Sequence, residues 1–481
     1  MEASKAARPI FENISPLDHR YSLSESSVFN ALVPWISEEA VVRACVKAEI
    51  ALITAHLAAS GKLNLCVKAE LERAGASIDP AEVYAEEEKT RHNIRALVNV
   101  LAKKVPADFA PLVHLGATSA DILDTGFSWR IKGVTLEVVL PELKKLELLL
   151  CDFAQREAGT PQIGRTHGQH AVPVTVGFAM AEYVSRLGKS ILEIERLAPG
   201  LKGKLAGAVG AYNASSMIVK DPEELERLYL NEMGLEPSEH STQLVEPEYL
   251  LRLLLEFNTA FGIIANLADD LRNLQRSEIG ELREGFAAEQ VGSSTMPQKR
   301  NPWNSEHVKS LWKAFMPRVM TFFMDQISEH QRDLSNSASQ RFVADYIAGF
   351  CLAVSRMAGV VKGLGVDRER LMKNLNSESG IPGGSLAEPA YILLAESGEV
   401  NAHEVIRKIT LNAEREKLSF VQALAKEEGV LKRIGVKMYE LGLIASETEA
   451  LSFFEKPERY SGLAAAKAEA LSQKYRKLMG G

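Results

Sequence analysis

Residues 248 to 284 constrain the fold more than any other stretch of the chain. Their apolar side chains Leu251, Leu254, Leu255, Phe261, Ile264, Leu267, Leu271 and Leu274 recur with the spacing of one helix face, with little interruption. Similar periods run over residues 121–157 and over 176–197, where Met180, Tyr183, Val184, Leu187, Ile191 and Ile194 share a face. Two more cover 306–329, with a bend expected at Pro317, and 342–364. Helices of roughly 25 to 35 residues are about twice or more the usual mean of ~11–12. Their apolar faces require a bundle, and the area exceeds what one chain covers, which favours a homo-oligomer. No stretch alternates persuasively as a strand, so the expected fold class is mostly α.

Shorter segments surround these. The N-terminal 30 residues read as irregular, with Pro9, Pro16, Asn13 and Asp18 and a Ser-rich run. A helix starts at Ser37 and carries Val41, Val42, Cys45, Ile50, Leu52 and Ile53, another runs from Lys68 to Ala74, and a third spans 86–101 with Ile94, Leu97, Val98 and Leu101 on one face. Pro106 and Pro111 mark one boundary, and beyond Gly365 the segments shorten while Gly380, Pro382, Gly383 and Gly384 cluster. The expected organisation is an N-terminal helical domain (1–111), a central long-helix bundle (112–365) and a C-terminal helical domain (366–481).

A net charge of −7 and no block of like charges argue against a nucleic-acid partner, so an anionic ligand must be met by a local basic pocket. The first twenty residues hold no apolar core of signal-peptide length, and no later run approaches ~18 apolar residues, so a cytoplasmic protein without a membrane partner is expected. Cys45, Cys66, Cys151 and Cys351 lie far apart and form no Cys-x-x-Cys pair, the pattern of buried thiols.

The chemistry lies in polar islands between the helices. Six of the ten histidines, His92, His114, His167, His170, His307 and His330, fall in or beside them. No His-Glu-x-x-His occurs, and His167 with His170 lacks a nearby carboxylate, so no metal is expected. Arg20, Arg91, Lys299, Arg332 and Arg341 supply cations, and Thr118, Ser119, Thr166, Gln243, Ser293 and Ser337 supply donors, an inventory suited to carboxylate or phosphate. Thr118 or Ser119 can also cap the helix that follows. With no Walker loop and no Gly-x-Gly-x-x-Gly, what remains is acid–base chemistry on a polyanionic substrate, with no cofactor. The segment 289–306 is the least helix-like of these islands, with Gly292 for backbone freedom and Pro297 and Pro302 to prevent a continuous helix.

Gly292-Ser-Ser-Thr-Met-Pro-Gln-Lys-Arg-Asn-Pro302 resembles the fingerprint loop of the fumarase/aspartase superfamily. Gly164-Arg-Thr-His-Gly-Gln-His-Ala, His114-Leu-Gly-Ala-Thr-Ser-Ala-Asp, Ser241-Thr-Gln243, Asn273-Leu-Gln-Arg-Ser-Glu-Ile-Gly and Asp18-His-Arg-Tyr resemble its adenylosuccinate lyase family, over most of residues 16–400. The resemblance implies three helical domains and a homotetramer with a central helical core, whose active sites each draw on three subunits. It implies β-elimination across a C–N bond of a succinylated nucleotide, with release of fumarate. Ser293 is then the base and His167 the acid, with Glu306 orienting the pair. Lys299, Asn301, Thr118, Ser119 and Gln243 hold the succinyl carboxylates with His114 nearby, and Arg20, Tyr21, Arg91, His92, Asn93, Arg332, Ser337 and Arg341 attend the nucleotide.

Three positions depart from the family pattern: His307 in place of an arginine, Asn93 in place of an aspartate, and Glu246-Pro-Glu248 after Ser-Thr-Gln. They leave open a superfamily relative that acts on another N-succinyl amine or on a carboxymuconate cycloisomerase-type substrate. A non-catalytic structural homologue is the third alternative.

Overall fold

The computed structural model describes residues 9–286, 289, 292–376 and 381–480; Gln290 and Val291 of the expected functional loop and Gly380 of the glycine cluster lie outside them. The principal helices in chain order are α1 (Glu38–Ala59), α2 (Pro80–Thr90), α3 (Asn93–Leu101), α4 (Ser119–Val134) and α5 (Leu140–Arg156). An antiparallel hairpin follows, β1 (Pro161–Thr166) and β2 (Gln169–Thr175). Then come α6 (Val176–Leu197), α7 (Pro222–Met233), α8 (Glu248–Leu274), α9 (Trp303–Phe315), α10 (Val343–Lys362) and, among the short C-terminal helices, α11 (Ala464–Leu478). The fold is mostly α, as the periodicity requires.

Several local expectations are corrected. The island at 164–173 is the β-hairpin, hidden because a bulge between Ile163 and Arg165 and the interruption at Pro173 spoil its alternation. The helix expected over 86–101 is two, because Arg91 turns into the left-handed region (φ 55°) and the His92 ring caps α3 by accepting the Arg95 amide. Of the N-terminal 30 residues expected to be irregular, 1–8 lie outside the described residues, and from Arg20 the chain is helical instead, over Arg20–Ser24 and Ser26–Ile36, the second burying Val28 and Leu32. The long run from 248 ends as helix at Leu274. Cys66 is exposed, unlike the other three cysteines. Two helical stretches, Glu248–Leu274 and Ser337–Lys362, are long and apolar enough by composition to cross a membrane, and 56% and 72% of their most apolar windows are buried within the protein, the pattern of core helices.

The chain packs as two compact units. The first comprises the chain up to Lys144, Lys189–Ile264 and Ser310–Arg356. There α1 is packed by α4 and α7, and its Leu52 and Ile53 are wholly buried with Leu97, Leu101, Ile122, Tyr229 and Leu230. A Leu→Ala change in such a core costs ~2–5 kcal/mol. Beside this core lies a fully buried ion pair, Lys204 with Asp121. Burying two charges is costly, and here hydrogen bonds offset it: the Thr118, Ala206 and Gly207 amides donate to Asp121, and Lys204 donates to the Gly207 carbonyl.

The second unit comprises Lys145–Gly188, Ala265–Lys309 and the chain from Met357. Its C-terminal helices enclose Leu386, Phe420, Leu424, Ile434, Met438 and Phe454. At Gly177 the chain passes so close to the end of α5 that a Cβ would stand 2.3 Å from the Ala154 carbonyl oxygen and 2.6 Å from the Ala158 backbone. Glycine is therefore required there. Glu281, also wholly buried, accepts from Arg165 through both guanidinium arms (2.6 and 3.0 Å), from Gln162 (2.8 Å) and from Asn374 (2.8 Å). This network ties the hairpin to the following segments.

Candidate active site

Within the second unit the loop preceding α9 folds back on itself. The Gly292 carbonyl accepts from Asn301 Nδ2 at 3.0 Å, and a Cβ on Gly292 would stand 2.1 Å from the Lys299 carbonyl oxygen, so only glycine permits this approach. Inside the ring so formed, the Ser293 hydroxyl oxygen accepts from two backbone amides, Met296 at 3.1 Å and Thr295 at 3.4 Å. Those dipoles favour any negative charge that develops on the oxygen. Lys299 is exposed and lines a surface pocket with Arg276, Arg300 and Asn301, where the three cations outnumber the one carboxylate, Glu278. This is a local basic pocket in a chain of net negative charge. The α9 N-terminus is anchored by Glu284, which accepts from the Asn304 and Ser305 amides. Glu306 follows in the first turn, exposed, where a carboxylate is favoured by the helix dipole. His307 is half-buried.

His167 stands at the tip of the hairpin. It and Gly168 form the two-residue turn, both with positive φ (54° and 74°), the geometry of a type I′ connection. A non-glycine residue held there carries strain of order ~1–3 kcal/mol, and the ring it displays is exposed. The motif around it now has a physical reading. Gly164 allows the bulge, since a Cβ would stand 2.6 Å from the Val172 carbonyl oxygen, and Arg165 is the anchor to Glu281. Among the described residues of one chain, His167 and Glu306 make no hydrogen bond or ion pair with each other.

The first unit carries the remaining candidates. Arg91 and His92 occupy the break between α2 and α3, both exposed, with Asn93 beside them bonding the Ile94 amide through its own side chain. His114 is held in the left-handed region (φ 60°) by Glu49, a wholly buried residue of α1. One Glu49 oxygen takes the His114 amide at 3.0 Å, and the other faces the ring Nδ1 at 2.7 Å. Thr118 is the N-cap of α4 and Ser119 its first residue, as capping chemistry suggests. Gln243 is tied to the 331–341 segment by its amide, which donates to the Gln331 carbonyl at 3.0 Å. Arg332 bonds Ser328 and lines a cavity with Asp124 and Asp325, carboxyls that burial pushes up, whereas Ser337 and Arg341 lie exposed on the short helix Ser337–Arg341. Arg20 is exposed and Tyr21 half-buried at the start of the Arg20–Ser24 helix.

The buried carboxylates Glu49, Asp121 and Glu281, and the half-buried Glu284, escaped the sequence reading. Glu49 alone left a trace, a carboxylate set among the core-facing positions Cys45, Leu52 and Ile53 of α1.

Comparison with known proteins bears on both units. The Lyase family model matches residues 15–314 and the adenylosuccinate lyase C-terminal model residues 328–442. The sequence is similar to an adenylosuccinate lyase of Pyrococcus horikoshii, 33% identical over 458 residues that cover 94% of this chain and 95% of that one. A second, from Archaeoglobus fulgidus, is 30% identical over 466 residues, covering 95% and 97%. In fold the chain is similar to a 3-carboxy-cis,cis-muconate lactonizing enzyme from Pseudomonas putida, with a TM-score of 0.78 at 23% identity over 94% of this chain and 98% of that one.

Proposed function

The chain belongs to the adenylosuccinate lyase family and is a C–N lyase that releases fumarate in purine biosynthesis, and we propose that Ser293 and His167 carry its proton transfers. The substrates of this reading are adenylosuccinate, cleaved to AMP, and the succinylated aminoimidazole carboxamide ribotide. Ser293 takes the proton from the carbon next to a succinyl carboxylate. The electron pair left behind forms the double bond of fumarate as the C–N bond breaks, and His167 gives its proton to the departing nitrogen. The observation that carries the reading is the pair of amides aimed at the Ser293 oxygen, because a serine serves as base only where its alkoxide is stabilised.

Lys299 and Asn301, with Thr118, Ser119 and Gln243, hold the succinyl carboxylates, and His114 lies beside them. Arg20, Tyr21, Arg91, His92, Asn93, Arg332, Ser337 and Arg341 hold the nucleotide. Glu306 orients the acid–base pair. The proposed assembly is a cytoplasmic homotetramer with sites drawn from three chains, as the family resemblance implies. The division into domains 1–111, 112–365 and 366–481 belongs to the same proposal.

Incubation of the pure protein with adenylosuccinate, with fumarate measured, tests the substrate. Turnover is expected. No fumarate at high enzyme concentration would reject adenylosuccinate and return the choice to another N-succinyl amine.

A further inference from the structure

We propose that Glu49 is a positioning residue for this reaction: from the core of the first unit it fixes both the orientation and the tautomer of His114. The inference rests on the reading of His114 as an active-site group. Glu49 is 0% exposed, yet both of its oxygens are engaged by one residue, the amide and the ring nitrogen of His114. A carboxylate only accepts, so Nδ1 carries a proton, and an imidazole bearing that one proton presents Nε2 as a lone pair. The His114 side chain keeps 16% of its exposure, whereas the Glu49 side chain keeps none.

The backbone is gripped from the same helix a second time. His56, two turns after Glu49 on α1, places Nε2 3.0 Å from the Leu115 carbonyl oxygen. The His56 ring is itself buried, and burial lowers its pKa, which keeps it neutral with Nε2 as the donor. Glu49 and His56 thus hold the His114–Leu115 segment at its two ends, by the His114 N–H and the Leu115 carbonyl. Of the two contacts, only the Glu49 ring contact acts on the imidazole.

A glutamine separates orientation from mere support. In Glu49→Gln the amide oxygen must serve the His114 N–H, which can only donate, and the amide nitrogen then faces Nδ1. The ring is forced into the opposite tautomer, with its proton on Nε2, while the loop keeps its backbone tie. The expected result is a fall in kcat of about tenfold or more, with KM and melting temperature little changed. In a His114→Asn background, Glu49→Gln should cost nothing further. With 15N-labelled histidine, the wild-type spectrum should contain an Nδ1–H signal that His114→Asn removes and Glu49→Gln converts to Nε2–H. If Glu49→Gln does not fold, Glu49→Asp serves instead, retaining the Nδ1–H signal while kcat falls because the carboxylate is withdrawn by one methylene. An unchanged kcat in a variant with altered reach or charge overturns the proposal. So does an equal loss in the His114→Asn background, which marks a structural role. If His114→Asn alone leaves turnover unchanged, the assignment of His114 fails and the role of Glu49 falls with it. That outcome is distinct from a rate that responds to His114 but not to Glu49.

Discussion

Lys204 shows how far the site depends on side chains that touch no substrate. Its ammonium is the only cation bonded to Asp121 among the described residues, and Asp121 in turn holds the Thr118 amide at the start of α4. Lys204→Met would leave a carboxylate charged and unpaired in the core, a loss of ~3–5 kcal/mol. It should appear as a marked fall in melting temperature together with a weaker kcat/KM. A variant that melts like the wild type would contradict this account of the pair. Ser293, His167 and Lys299 were legible in the sequence, singled out by the motifs at 292–302 and 164–171 that carry the family resemblance. Asp121, Glu281 and Glu49 were not, because each earns its place by meeting a segment distant in the chain. Glu281 reaches Arg165 across 116 residues, and no local pattern records such a contact.

Among the elements, the long helices were legible because a 3.6-residue period sustained over many turns has no competing interpretation. The hairpin was not. Its turn is His167-Gly168 where Asn-Gly is the usual signal, and a bulge at Gly164 breaks the alternation. The α2–α3 break was missed for a similar reason, since histidine is outside the common N-cap set. The 292–301 loop yields a prediction of its own. Gly292→Ala would push a methyl into the Lys299 carbonyl and open the ring around Ser293. Displacing the proposed base by about 1 Å should lower kcat about a hundredfold. Stability should barely move, because the loop is largely exposed. Circular-dichroism melting alongside steady-state kinetics separates the two; unchanged kcat would mean that loop closure does not position the serine.

At the scale of the whole molecule, one buried group sets a pH dependence. Glu147 of α5 is 0% exposed, beside Gly188 and the Tyr475 ring, and neither of its oxygens has a hydrogen-bond partner among the described residues. Burial alone pushes its pKa from the ordinary 4.5 to about 9. Between those values the native protein keeps a proton that the unfolded chain releases, so stability falls as pH rises from 4.5 to about 9 and is unaffected below. Glu147→Gln does not titrate. Its unfolding free energy relative to wild type should therefore climb steadily from pH 5 to pH 9, by up to ~1.4 kcal/mol per pH unit, and a constant offset would contradict the assignment. The proposed assembly is testable at this scale too. Sedimentation should give four chains of 52.8 kDa each, and refolding Ser293→Ala together with His167→Asn should restore activity that neither variant has alone. Mixed chains that remain inactive would place each site within one subunit.

The central claim is that Ser293 is the base, and the most direct measurement is single-turnover fumarate release from adenylosuccinate by Ser293→Ala beside the wild type. A loss of ~10²–10⁴-fold at an unchanged melting temperature and oligomeric mass is the expected result. Fumarate released at the wild-type rate would contradict it.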